Sequence, residues 1–352
     1  MTVLGIETSC DETAAAIVRD GHTLLSNVVA SSMDLHVKYG GVVPEVAARS
    51  HIEVIIPVIE ETLAQASLHW EDIDAVAITY GAGLSGCLLI GVLTARTLAI
   101  AYGKPLYAIN HVEAHVYANF ITDTALPSLK MPSRQPEFPM LAIILSGGHS
   151  QLVLFQDHFD YLLLGQTQDD AIGEAFDKVA KIIGLPYPGG PSVSQAALAG
   201  DPLAYRLPKA RMPGYNFSFS GLKTAVLRLA QSAIGEDYDF PSYKVSDRLT
   251  EAQRDNIAAS FERVAIETIV DKVRRAYDQY APKSVVIAGG VAANQELRRQ
   301  LDDFLPGGIE YPDIRLCTDN GAMVAALGCF KAMLGQPAAD AYSLDIAPNL
   351  SM

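Results

Sequence analysis

The feature that most constrains this chain is a plan that it writes twice. Residues 3–7, 14–19 and 23–29 are short apolar segments divided by turn residues, and residues 141–145, 151–155 and 161–165 repeat the pattern. Each triplet reads as a strand meander whose first hairpin carries a polar turn. In the first the turn is Glu7-Thr8-Ser9-Cys10-Asp11-Glu12-Thr13, and in the second it is Ser146-Gly147-Gly148-His149-Ser150. Between the meanders, Pro44 opens a helical pattern through Val46, Ile52, Ile55, Ile56, Ile59 and Leu63. A buried strand at 75–80, a helix at 84–102, a strand at 106–110 and a helix at 111–120 follow. This alternation predicts an α/β layer architecture, and the repeat predicts two related halves around one cleft. Pro127, Pro132, Pro136 and Pro139 crowd into a stretch of little periodicity, which places a domain connection there. The expected division is 1–137 and 138–318, with a last helix at 319–336 crossing back to the first half and a tail at 337–352.

Composition narrows the function. Over 352 residues, 49% hydrophobic and 19% charged content excludes a disordered chain, and a net charge of −14 excludes binding of nucleic acid by bulk positive charge. Any RNA must be met by a local basic patch or with a partner's help. The N-terminus MTVLGIETSCDET lacks a basic region before an apolar run, so the expected location is the cytoplasm. Residues 84–102 are interrupted by Ser85, Thr94, Arg96 and Thr97 and read as a buried helix, so no membrane span is expected. Cys10, Cys87, Cys317 and Cys329 show no CxxC spacing, which argues against a disulfide framework or a zinc knuckle.

Several constellations carry chemical meaning. The hydroxyls and carboxylates of the first turn either contact phosphate or a metal, or close a hairpin. Glycine pairs at 147–148 and at Gly289-Gly290, the latter between a strand and a helix, let backbone N–H groups approach an anion. Gly81-Ala82-Gly83-Leu84-Ser85-Gly86 matches the dinucleotide fingerprint GxGxxG. No acid stands between Asp74 and Glu113 to hold a ribose, so close helix packing is the better reading. A P-loop is absent. His111 and His115, four apart on one helical face, either share a metal or form an unliganded pair, and Glu113 on the other side excludes an HExxH protease arrangement. A carboxylate completing a two-His set favours iron. Asp319 is one such carboxylate, or else it caps the last helix. Asp170, Glu174 and Asp177 share a face on which Lys178 and Lys181 can pair with Glu174 and Asp177 at i+4; the alternative is that Asp177 accepts a ligand hydroxyl, with Pro188-Gly189-Gly190-Pro191 close by. Between Pro202 and Ser232 there is no acid. Arg206, Lys209, Arg211, Lys223 and Arg228 are interleaved there with Tyr205, Tyr215, Phe217 and Phe219, a basic and aromatic patch suited to phosphates and unpaired bases, or a loop anchored by its aromatics.

The segments LGIETSCDET, YGGVVPEVAARSH, HVEAH, LSGGHSQL, GEAFDKVAKIIGLPYPGGP, FSFSGLKT, IAGGVAAN and CTDNGAM occur together and in order. In these the chain closely resembles the TsaD family, the tRNA N6-adenosine threonylcarbamoyltransferases once labelled O-sialoglycoprotein endopeptidases (Gcp/YgjD), from Val3 to Met323. The resemblance implies the actin-like ATPase fold shared with sugar kinases and heat-shock chaperones, two duplicated domains around a nucleotide cleft. It implies transfer of a threonylcarbamoyl group from threonylcarbamoyl-AMP to N6 of the adenosine 3′ of the anticodon in tRNAs reading ANN codons. His111, His115 and Asp319 would bind one divalent metal, Fe²⁺ ahead of Zn²⁺ or Mg²⁺. Ile144, Leu145, Ser146, Gly147, Gly148, Asp177, Gly190 and Asn294 would hold the adenylate, an ATP- or AMP-type nucleotide. Asp11 and Glu12 would act on the amine, while Arg206, Lys209, Arg211 and Lys223 would meet tRNA. The implied partners are a TsaB-like paralogue, a TsaE-like ATPase and a TsaC-like enzyme that supplies the adenylate. Two positions depart from some relatives: Ile144 stands where they carry a tyrosine, and Ser194 where they carry an acid. The rival readings are an ATP-dependent kinase or ATPase on the same fold and a non-catalytic scaffold of the modification complex.

Overall fold

Thr2–Glu7 is buried at every residue, which makes it a central strand, β1. It pairs antiparallel with β2 (Glu12–Arg19), which pairs antiparallel with β3 (Thr23–Ser31). Helices α1 (Met33–Val37) and α2 (Pro44–Ala66) follow, then β4 (Ala75–Gly81), α3 (Ser85–Tyr102), β5 (Leu106–Asn110), α4 (His111–Tyr117) and the short β6 (Asp123–Thr124). The sheet order is β5-β4-β1-β2-β3-β6, with β4 parallel to β1. In the computed structural model, residues 1–305 and 308–352 are described; residues 1–136 with 310–352 form one compact unit and residues 137–309 a second.

Strand alternation gives β1 two working faces. Leu4 and Ile6 point into a core with Ile55, Val58 and Ile59 of α2 and Val92 and Ala95 of α3, each large side chain contributing roughly 1.5–3 kcal/mol through burial. Gly5 points the other way, onto α10 (Gly321–Met333). A Cβ on Gly5 would fall on Ala325 N and lie 2.5 Å from Gly321 O, and one on Gly321 would strike the backbone of Ala15. Helix and sheet therefore touch backbone to backbone, and any side chain here would force them apart.

The second unit repeats the plan. β7 (Met140–Leu145) pairs antiparallel with β8 (Ser150–Asp157), which pairs antiparallel with β9 (Asp160–Gln166), and β10 (Ser284–Ala288) lies parallel to β7. The order β10-β7-β8-β9 matches β4-β1-β2-β3 of the first unit. Its helices are α5 (Ile172–Ile183), α6 (Gly189–Ala197), α7 (Ser220–Ala233), α8 (Glu251–Tyr280) and α9 (Gln295–Asp302). α8 opens on a capping box between Thr250 and Gln253.

The structure differs from the sequence reading at the chain end. The first unit resumes at residue 310 rather than 319, because Glu310 accepts the backbone N–H of Ser133 (2.6 Å) and Asp313 that of Lys130 (3.1 Å). Residues 337–352, expected as a separate tail, belong to the same unit. Arg96 of α3 donates to the carbonyls of Ala341 (2.7 Å), Leu344 (3.1 Å) and Tyr342, and Ala347 N–H donates to Tyr80 (2.7 Å). α3 is, among the described residues, the one helix long and apolar enough to cross a membrane. It is less buried than expected: Leu88, Val92, Ala95 and Ala99 pack inward, whereas Leu89, Leu93 and Ile100 are exposed.

The backbone contact of β1 with α10 predicts that Gly5→Ala destabilises the chain by about 3 kcal/mol. Gly41→Ala, where a Cβ meets nothing within 4 Å, should stay within about 0.5 kcal/mol. Denaturant unfolding of the two variants checks this, and equal midpoints would remove the role given to the contact.

Candidate metal centre and ligand-binding turns

In the first unit, α4 starts directly at the end of β5, capped by Asn110 through Val112 N–H (2.8 Å), so His111 and His115 project from its first turn and a half. Their rings lie edge to face with centroids 4.7 Å apart. Asp319, two residues before α10, reaches them: its Oδ1 stands 3.2 Å from His115 Nε2 and 3.7 Å from His111 Nε2. The three ligand atoms lie within 4.8 Å of one another. His115 is 2% exposed, and neither of its ring nitrogens has hydrogen-bonding geometry with any partner among the described residues. A buried imidazole left so is costly unless something coordinates it. Two imidazoles and a carboxylate converging on one point, with an orphaned nitrogen, fit a divalent metal.

His111 is held from behind. Its Nδ1 lies 3.1 Å from Ser9 Oγ and 3.3 Å from Glu7 Oε2, so an N–H there leaves Nε2 free to point at Asp319. Glu7, fully buried at the end of β1, accepts Ser9 N–H (2.5 Å) and Thr79 Oγ–H (2.5 Å). Burial opposes charge on His111, but Asp319 and Glu7 outweigh it and push the imidazole up to about 9. Burial acts first on Glu7 too, and there the His111 charge prevails and lowers the carboxyl.

The first polar turn is pinned through its carbonyls. His51 Nε2–H donates to Cys10 O (2.9 Å) while its Nδ1 accepts from Thr13 Oγ (2.7 Å), and Ser32 donates to Asp11 O from both N (2.9 Å) and Oγ (2.8 Å). Asp11 is buried and Glu12 half-buried. Burial, then the charges of Asp319 and Asp11, push the Glu12 carboxyl up to about 9. At neutral pH Glu12 is therefore protonated and a hydrogen-bond donor. Gly83 of the GxGxxG turn presses on Ser9, and Gly81 is covered by Ala347 O, so this turn supports the site and has no room for a dinucleotide.

In the second unit the turn after β7 is short: Ser146 N–H donates to His149 O (2.8 Å) and His149 N–H to Ser146 Oγ (3.1 Å). Gly147 and Gly148 are exposed, with nothing within 4 Å of where a Cβ would be. Gly289, at φ +86°, lies against Leu145 and Ser146, and Gly173 against Gly147, so the glycine turns meet. Ile144 and Leu145 are buried strand residues. Asp177 accepts Gly189 N–H (2.6 Å) in place of the expected Lys181 partner, and burial raises its carboxyl. Lys178 pairs with Glu174 as expected and also with Asp170, both at 2.7 Å. Gly190 is open, and Asn294 caps α9 through Leu297 N–H (2.8 Å).

In the basic and aromatic patch the rings follow the second of the two readings, a loop anchored by its aromatics. Phe217 and Phe219 are fully buried, and Tyr215 donates its hydroxyl to Gln279 (2.6 Å), so these rings anchor the segment and none is presented for base stacking. Lys209 is paired with Asp271 (2.7 Å) and Glu267 (3.3 Å), and Lys223 with Asp170 (3.5 Å). Arg206 and Arg211 are exposed and form no ion pair among the described residues. Sequence reasoning named Glu7 within the polar turn but not its place behind His111, and missed His51 and Glu262. Only Glu7 left a signal, as the single charge in an otherwise apolar strand.

The duplicated meander with a parallel strand at its side and helices on the sheets is the actin-like ATPase fold. Full-length HypF in its phosphate- and nucleotide-bound form superposes with a TM-score of 0.53 at 12% identity, covering 95% of this chain and 46% of that one, a likeness of fold alone. The family model of TsaD, tRNA N6-adenosine threonylcarbamoyltransferase, matches residues 23–326. Proteins of that description from Thermomicrobium roseum (46% identical, 95% of this chain and 93% of that one) and Symbiobacterium thermophilum (48%, 93% and 91%) are similar over nearly their whole length. The chain belongs to the tRNA N6-adenosine threonylcarbamoyltransferase family.

Two pH effects follow for the metal-free protein. A metal must displace the proton that His111 holds up to about pH 9, so its apparent affinity should rise about tenfold per pH unit between pH 6 and 8. Calorimetric titration with Co²⁺ checks this, and a flat profile contradicts it. The Glu12 carboxyl is raised from 4.5 to about 9, so its contribution to stability is full below pH 4.5 and is lost as pH rises toward 9. Glu12→Gln should leave the melting temperature unchanged at pH 4 and raise it by about 2–4 °C at pH 8.

Proposed function

We propose that this chain transfers the threonylcarbamoyl group of threonylcarbamoyl-AMP to N6 of the adenosine 3′ of the anticodon in tRNAs that read ANN codons, releasing AMP. The observation that carries this reading, within a family of that activity, is the convergence of His111, His115 and Asp319 beside a turn lined by Asp11 and Glu12. In the reaction N6 bonds to the carbamoyl carbon, the bond from that carbon to the phosphate oxygen breaks, and N6 gives up one proton. The donor is already activated and the amine is weak, so positioning and charge stabilisation supply most of the acceleration.

His111, His115 and Asp319 hold one divalent ion, Fe²⁺ by the donor set, with Zn²⁺ and Mg²⁺ as alternatives. A bound ion of this kind supplies Lewis acidity toward a carbonyl oxygen. Asp11 accepts the N–H of the incoming amine and Glu12, protonated, donates to an oxygen. The open backbone at Gly147, Gly148 and Gly190 offers N–H groups to the phosphate of an ATP- or AMP-type nucleotide, beside Asp177 and Asn294. Arg206 and Arg211 remain for tRNA phosphates, with Lys209 and Lys223 contributing once their acid partners are displaced. A TsaB-like paralogue, a TsaE-like ATPase and a TsaC-like supplier complete the system in the cytoplasm; the exposed Ile52 and Ile56 of α2 and Leu89 and Leu93 of α3 offer a protein partner an apolar face.

Mass spectrometry of nucleosides from unmodified tRNA, incubated with the chain, threonylcarbamoyl-AMP, metal and partners, tests the reading. The expected outcome is threonylcarbamoyladenosine with the wild type and none with His111→Ala. Asp11→Asn should lower the single-turnover rate about 100-fold. ATP consumption without modified nucleoside would favour a kinase or ATPase. Normal rates in both Asp11→Asn and Glu12→Gln would remove their assigned roles.

A further inference from the structure

Past the clasp of Arg96, the strap turns toward the back of the metal centre. Ala341, Leu344 and Ile346 pack against the core of the first sheet, so the strap is anchored before it gets there. Ala347 N–H donates to Tyr80 O (2.7 Å), and Pro348 O accepts Gly83 N–H (3.1 Å), which lays residues 347–348 along the end of β4 and the turn that follows. Leu350 N–H closes a bend onto Ala347 O (3.0 Å), and Ser351 O accepts the side-chain amide of Asn110 (3.1 Å).

Two paths lead from these residues to His111. In the first, Asn110 Oδ1 accepts Val112 N–H (2.8 Å), which leaves Nδ2 as the donor to Ser351 and settles the orientation of the amide. The residue that starts α4, and with it the backbone of His111, is thus held from two sides. In the second, the turn at 81–84 is pressed between the strap and Ser9. A Cβ on Gly81 would fall on Ala347 O and lie 2.9 Å from Leu350 Cβ, and one on Gly83 would lie 2.7 Å from Ser9 O. Leu84 N–H donates to Ser9 O (2.8 Å), and Ser9 Oγ stands 3.1 Å from His111 Nδ1. Both glycines are bare because backbone meets backbone on each side of the turn.

Groups behind a metal ligand set its orientation, and a ligand already in place is not ordered again when the ion binds. We propose that residues 347–351 are a positioning element of the metal centre: through Asn110, and through the 81–84 turn and Ser9, they fix His111, and the affinity for a divalent ion depends on them. The strap supplies no ligand to the cluster. This rests on the reading that His111, His115 and Asp319 hold a metal.

Calorimetric titration with Co²⁺, read beside the visible absorption of the bound ion, tests it on the full chain and its variants. Gly81→Ala, whose Cβ expels Ala347 and Leu350, should weaken Co²⁺ about tenfold and change the spectrum. A chain ended after Leu344 keeps the Arg96 clasp and should show the same loss of about tenfold. Adding Gly81→Ala to that shortened chain should cost no more than about twofold, because the atoms that the new Cβ strikes are gone. Leu63→Ala, in the core under α2, should lower the melting temperature yet leave Co²⁺ affinity within about twofold, which separates positioning from a general loss of stability. Unchanged affinity in Gly81→Ala, an equal loss in Leu63→Ala, or a full second loss when Gly81→Ala is added to the shortened chain would overturn the assignment. The single substitution decides alone if the shortened chain does not fold. No Co²⁺ binding by the wild type would instead sink the metal reading, and this inference with it.

Discussion

Two bare backbones meeting, Gly5 of β1 and Gly321 of α10, set the geometry on which the first unit depends. Because neither residue carries a side chain, α10 lies directly on the central strand, and the residues just before it are delivered to a fixed place. Asp319 is one of them, brought to within 3.2 Å of His115 from more than 200 positions along the chain. The histidines reach that place by a different route, from a helix that starts without a loop at the end of β5. Gly5 bare against the backbone of α10, and Gly321 bare against Ala15 of β2, thus set which carboxylate stands beside the histidines.

The two units share a strand order but treat the first hairpin turn in opposite ways. In the first, the turn is lined with carboxyls and hydroxyls and its carbonyls are taken by His51 and Ser32. It presents acid side chains. In the second, the turn is nearly free of side chains and presents backbone N–H groups. One strand order therefore carries, at the same place, a turn of acid side chains in one unit and a turn of open backbone in the other.

Much of this was legible in the sequence. The meanders, the helix opened by Pro44 and the late strand at 284–288 follow from period and turn chemistry, which act locally. The histidine pair was visible because four-residue spacing on a helix fixes a shared face. Asp319 remained one carboxylate with two natural roles, since only the tertiary contact of α10 separates ligand from cap. The buried supports were illegible for the same reason. Glu262 sits in a long helix of mixed character, and nothing near it in sequence announces Ser194 or Asn294 as neighbours. The aromatics of residues 215–219 stayed open between base stacking and anchoring, because their burial depends on β9 and α8, which are remote in sequence.

The discontinuity of the first unit bears on how the molecule is made. On the ribosome, the second unit, continuous from 137 to 309, can emerge and fold whole. The first unit has by then been exposed for far longer, its sheet lacking the helix that covers one face and its histidines lacking Asp319. Only when the last forty or so residues leave the exit tunnel do α10 and the strap held by Arg96 arrive. A chain that ends before residue 310 therefore holds all of the second unit, while its first unit lacks both α10 and the carboxylate that stands beside His111 and His115.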